Sequence, residues 1–140
     1  MEVRVQKLNK NSRLPSKANE SDAGWDLYAS EDVIIEPSQT ELVGTDMAMA
    51  IPDNYVGLIW DRSGMAVKRG VHRFAGVIDS GYRGEIKVCL WNSSSEHCVI
   101  NKGERIAQIL FQPVPPLPLI EVQDLNGTTR GRKGFGSSGR

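Results

Sequence analysis

Cysteine is scarce in this chain of 140 residues: there are two, Cys89 and Cys98, and they form no CxxC pair. That excludes a fold stapled by several disulfides and a zinc ribbon built on paired thiolates. His97 adjoins Cys98, which is not a usual metal-ligand spacing. Both cysteines lie in apolar runs, KVCLWN and HCVI, and are expected to be reduced, buried thiols. Long apolar runs are missing too: no segment approaches the roughly 20 residues of a membrane helix. The opening MEVRVQKLNK has no apolar stretch of the secretory kind. Nor is there an excess of charge, since 17 basic residues balance 17 acidic ones. That balance argues against a surface made to grip nucleic acid or anionic lipid. GxSxG, the P-loop and a His/Cys zinc set are all absent, so the common hydrolase, kinase and deaminase signatures do not apply. The expectation is a soluble protein with no membrane partner and no stable nucleic-acid partner. It is expected in the cytoplasm, or in the nucleus or cytoplasm of a host cell if viral.

What is present is a succession of short β-like runs. VRVQKL, DLYA, DVIIEP, TELVGTDMAMAIP, YVGLIW, EIKVCLWN, HCVI and ERIAQILFQPV are mostly bounded by Gly, Pro, Asn, Asp or Ser, which supply turns. Strands this short and evenly spaced predict an all-β fold, a β-barrel or a jelly-roll-like sandwich. The one helical candidate is SGMAVKRG, with Ser63 placed to cap it and Gly70 to end it. After Pro113 the composition changes. PVPPLPLI reads as an extended connector, and the final stretch is glycine-rich, basic and poor in core-forming residues. The expected organisation is a barrel domain over 1–120 and a mobile arm over 121–140.

Five stretches carry chemistry. In RGRKGFGSSG, closely spaced glycines expose backbone N–H groups, serines and arginines add donors, and Phe135 has no core to enter. In WDRSGMA, Arg62 offers a planar fork, Ser63 a hydroxyl and Gly64 an open backbone, an anion-binding combination. In AGWDLYA, Asp26 stands in a strand-like run and needs a cation or an amide as partner. In KGERIAQIL, Gln108 is either an amide that orders the core or the holder of a metal-bound water. The most informative stretch is AGVIDSGYRGE. A hairpin there can offer backbone groups to a planar base edge, with Asp79 at its bend to take a proton from water and Tyr82 to pack against a sugar. Each stretch also has a plain structural reading: a solvated tail, a capped turn, a barrel-filling tyrosine.

Taken together and in this order, AGWDLYA, RSGMA, GVIDSGYRGEI, GERIAQ and RGRKGFGSSG resemble the trimeric dUTP diphosphatase family. The resemblance implies a homotrimer of small β-barrels with active sites shared between subunits, hydrolysing dUTP to dUMP and pyrophosphate with Mg2+. On that basis Asp79 is the general base and Tyr82 the platform under deoxyribose. Gly76, Val77, Ile78 and, on the returning strand, Lys87 form a backbone clamp on uracil. Arg62, Ser63 and Gly64 bind phosphates from a neighbouring subunit. Asp26 and Gln108 hold magnesium-bound waters. Arg130 reaches the terminal phosphate, Phe135 covers uracil, and Gly136 and Ser137 close over the phosphate chain. The sequence departs from the family at Gly81, where aspartate is frequent, and at Asp61, where proline is common. Arg73 and Phe74 are bulky in a region usually small or amidic. Asp61 is expected to offset part of the field of Arg62. A same-fold deaminase would need a glutamate near the base, and Glu85 is the nearest.

Overall fold

The computed structural model describes residues 1–139. Within them the chain forms ten strands: β1 (Arg4–Lys7), β2 (Trp25–Tyr28), β3 (Val33–Ile35), β4 (Thr40–Ala50), β5 (Tyr55–Trp60), β6 (Val71–Phe74), β7 (Val77–Ile78), β8 (Glu85–Asn92), β9 (Cys98–Ile100) and β10 (Arg105–Pro113). They pair antiparallel in three sheets, ordered β1-β4-β8-β6, β2-β10-β5-β7 and β3-β9. This is the all-β, jelly-roll-like architecture that the evenly spaced runs predict. All eight predicted strands are present, with ends that agree with the predicted runs to within two residues. β6 and β7 are additional. Both are very short, and their bulky residues do not alternate over a span long enough to stand out.

The core lies between the sheets, and the period-2 pattern of β8 shows how it forms. Ile86, Val88, Leu90 and Asn92 point inward, while Lys87 and Trp91 on the other face are exposed or half-buried. Ile35, Val43, Val71, Ile100, Ile106 and Ile109 complete the apolar interior. Asn92 is fully buried and fully engaged: its amide nitrogen donates to the carbonyls of Ile35 at 2.9 Å and Glu96 at 2.7 Å, and its oxygen accepts from Ser94. A buried amide satisfied in this way fixes the β3–β8 junction instead of weakening it.

Two local expectations need correction. Cys98 is buried, but Cys89 faces outward on β8 and is only half-buried, because its position falls on the solvent side of the pleat. The stretch after Ser63 is a five-residue π-helical turn, Gly64–Lys68, and the Ser63 side chain makes no capping hydrogen bond. It ends as expected, at Gly70 with φ +66°. The last strand reaches Pro113, and among residues 114–139 there is no further strand.

Candidate active site

The hairpin around Asp79 has its two limbs in different sheets. β7 forms the edge of one sheet, pairing only with β5 through Gly57–Ile78 and Leu58–Val77. The returning limb, β8, belongs to the other sheet, where β6 covers only its far half, from Cys89 to Asn92. The outer backbone edge of Val77–Ile78 and the near half of β8 around Lys87 therefore stay unpaired on this side, with a cleft between them. Backbone N–H and C=O groups that no strand satisfies need another partner. The cleft is a pocket of about 290 Å³ lined by Leu42, Ile78, Asp79, Tyr82, Glu85 and Lys87, on the scale of a small-molecule site.

Asp79 is exposed, and among the described residues its carboxylate has no hydrogen bond or ion pair. Its backbone carbonyl accepts the Tyr82 amide at 3.1 Å, closing the turn. Tyr82 is 44% exposed, and its hydroxyl donates to the Glu85 carbonyl at 2.8 Å. The ring can lie there because residue 84 is glycine: a Cβ on Gly84 would fall 2.5 Å from the Tyr82 hydroxyl and 2.7 Å from Cζ. Gly81 has open space around it, so the departure there disturbs nothing. The Glu85 carboxylate accepts the Asp46 amide at 3.1 Å, in the bulge of β4, and is thus engaged in holding that bulge.

The second constellation lies on the β2-β10-β5 face. Gln108 is in register with Asp26 on one side and Trp60 on the other, which brings three of the sequence motifs onto adjacent strands. Arg62 Nε is 3.0 Å from Asp26 Oδ1, and Arg105 Nη1 is 3.7 Å from Oδ2. Gln108 donates from Nε2 to the Asp61 carbonyl at 2.9 Å. Its side chain lies against Gly24, where any Cβ would collide with Oε1. Arg62 and Gly64 line an open pocket with Arg13, Arg69, Glu104 and Arg105. Arginine-rich lining of this kind suits a polyanion. This pocket shares no lining residue with the Asp79 cleft.

Asp61 does not face Arg62. Its carboxylate turns to β6, accepting the Arg73 amide at 2.7 Å and lying 3.5 Å from His72 Nδ1, so the expected offset of the Arg62 field is replaced by a structural tie. Arg105 was not legible as a site residue: a register shift between Arg105 and Ala107 brings its side chain to Asp26, and the alternation of GERIAQ does not show that shift. Among the arm residues, Phe135 stands fully exposed, Arg130 Nε donates to the Lys133 carbonyl at 2.8 Å, and Gly136 has φ +78°. The Ser137 amide closes a turn on Gly134 at 2.8 Å. None of the four lines either cleft.

The donor set suits a magnesium ion held through water. Among the described residues no three acidic, histidine or cysteine side chains form a cage. Asp26 and Gln108 nevertheless stand side by side on one face, and Mg2+ ordinarily keeps several waters when phosphates supply its remaining ligands.

Fold and site together define a small all-β protein with a cleft bordered by unpaired backbone and a separate arginine-lined face. The dUTPase family model matches residues 10–139. The chain belongs to the dUTPase family. It is 45% identical to the deoxyuridine 5'-triphosphate nucleotidohydrolase of Nautilia profundicola, over all of both chains. Its structure resembles Staphylococcus bacteriophage 80alpha dUTPase with dUpNHpp, at a TM-score of 0.90 and 32% identity, covering 99% of each chain. It also resembles a mutant dUTPase of the S. aureus phage phi11, described with a structural Mg(II) ion, at a TM-score of 0.83 and 28% identity over 89% of this chain and 98% of that one. No helix among the described residues is long and apolar enough to cross a membrane.

Proposed function

We propose that the protein hydrolyses dUTP to dUMP and pyrophosphate. The observation that carries this reading is the divided hairpin: an unpaired backbone edge with an unengaged carboxylate, Asp79, at its bend. In this reading the backbone of Gly76, Val77, Ile78 and Lys87 recognises the uracil edge. Tyr82 underlies the deoxyribose and leaves no room for a further hydroxyl. Asp79 takes a proton from water as its oxygen bonds to the α-phosphorus. The bridge between the α- and β-phosphates breaks, and pyrophosphate leaves with the bond electrons. General-base assistance of this type contributes about 10²–10⁴-fold.

Arg62, the Ser63 hydroxyl and the Gly64 amide hold the phosphates, with Arg130 at the terminal one. Asp26 and Gln108 would hold a Mg2+ ion through water, and the ion would neutralise charge on the phosphates. Arg62 is preorganised by its ion pair with Asp26, so little side-chain entropy remains to be lost on binding.

The cleft and the phosphate face share no lining residue in one chain, and this supports a site composed of more than one subunit. Leu117, Leu119 and Ile120, within the proline-rich extended segment, and Leu125 after it are exposed, an apolar strip suited to a neighbouring copy. A homotrimer accommodates both. We assign 1–120 to the barrel and 121–140 to an arm, of which Arg140 lies outside the described residues. The arm's Phe135, Gly136 and Ser137 close over bound substrate and expel water. The protein is expected to act in the cytoplasm, or in the nucleus or cytoplasm of a host cell.

Incubation with Mg2+ and dUTP is expected to release pyrophosphate, with dTTP, dCTP and UTP turned over far more slowly and EDTA abolishing turnover. No pyrophosphate at saturating dUTP would overturn the reading.

A further inference from the structure

We infer that Arg73 is a positioning residue for base recognition, bracing the turn from which Val77 and Ile78 present their backbone edge. This rests on the activity proposed above. Ala75 and Gly76, immediately before that edge, have φ values of +58° and +113°. Glycine adopts such angles readily and alanine does not, so the Ala75 conformation persists only where its surroundings over-determine it.

Arg73 supplies that determination from three directions. Its own amide is fixed to the Asp61 carboxylate at 2.7 Å. Its guanidinium lies over the Trp60 ring, with Cζ 4.9 Å from the centroid. From there Nη1 donates to the Ala75 carbonyl at 3.2 Å. On the opposite side the Ile59 amide donates to the Gly76 carbonyl at 2.8 Å, and a Cβ on Gly76 would fall 2.8 Å from the Ile59 carbonyl. The turn is therefore pinned at both peptide units. Arg73 Nε is buried, and among the described residues it has no hydrogen-bond acceptor.

Backbone groups can discriminate bases only when they are held in place. Uracil presents an acceptor at its 4-position and a donor at N3, and cytosine presents the reverse. A rigid backbone edge leaves unpaired groups against the wrong base, whereas a slack one rearranges to accept it. Arg73 thus serves specificity without touching substrate. The brace also ties the turn to Trp60 and Asp61, the two residues directly before Arg62.

The test is Arg73→Met, which keeps the length of the stem and removes the charge and the donors. Losing a charge-assisted hydrogen bond predicts a rise in KM for dUTP of about tenfold, with kcat within about twofold. The preference for dUTP over dCTP in kcat/KM is expected to fall by about the same factor. Arg73→Lys keeps a cation over Trp60 and should recover part of both losses. An unchanged KM and base preference in Arg73→Met would overturn the inference, as would a fall in kcat with KM unmoved. If Arg73→Met does not fold, Trp60→Leu decides: it removes the ring beneath the guanidinium, and raised KM with weakened preference supports the brace, while wild-type values overturn it. A wild-type chain inert on dUTP would remove the activity and this inference together. An active wild type with unaffected variants would remove the inference alone.

Discussion

Gly84 gives the hairpin its working surface by leaving space that any side chain would fill. With the Tyr82 ring lying 2.5–3.0 Å from where a Cβ would stand, Gly84→Ala must push the ring aside and break the bond from its hydroxyl to the Glu85 carbonyl. The expected loss of stability is about 1 kcal/mol, the worth of one such hydrogen bond. If the ring is the surface under the sugar, the same variant loses part of its preference for dUTP over UTP. Comparing kcat/KM for the two substrates checks this, and an unchanged ratio would remove Tyr82 from that role. The sequence shows the glycine, but the reason for it lies in a ring two residues away.

At the scale of elements, the link between the π-helical turn and the β9–β10 connection is ionic. Arg69 bonds Glu104 at 3.0 Å and also donates to the Val99 carbonyl. Burial alone would push the Glu104 carboxyl up. The Asn101 amide and the Arg69 guanidinium outweigh it and hold the group below the usual carboxylate range. A depressed pKa in the folded state means that the unfolded chain takes up the proton first. The clip therefore stabilises fully above the ordinary carboxylate range, and this contribution is lost as pH falls through the lower folded value. Glu104→Gln should cost roughly 0.5–1 kcal/mol near neutrality, as half-exposed pairs do. Its melting temperature should converge with that of wild type as pH falls below the ordinary carboxylate range. Parallel curves across that range would show that Glu104 contributes no ionic stabilisation. Cys98 lies close by, its thiol pushed up by burial and so unreactive at neutral pH.

For the whole molecule, the decisive feature is that the Asp79 cleft and the Arg62 face share no lining residue within one chain, which under the proposed function makes each one half of a site shared between subunits. Asp79→Asn and Arg62→Gln are each expected to be nearly inactive alone. Refolded together in equal amounts, they should regain about a quarter of wild-type turnover, because about one directional contact in four then joins an intact Arg62 to an intact Asp79. No recovery would place both halves in one subunit's site. The sequence by itself determined the all-β class, eight of the strands and the five motifs, because alternation, turn residues and short-range spacing are local properties of a chain. Only the tertiary structure decided that Asp61 turns to β6, that Arg105 joins Arg62 on Asp26, that β7 and β8 part into different sheets, and that the two clefts stand apart. Those facts depend on register shifts and on which distant strands become neighbours, and both follow from burying one common core instead of from any local run of residues.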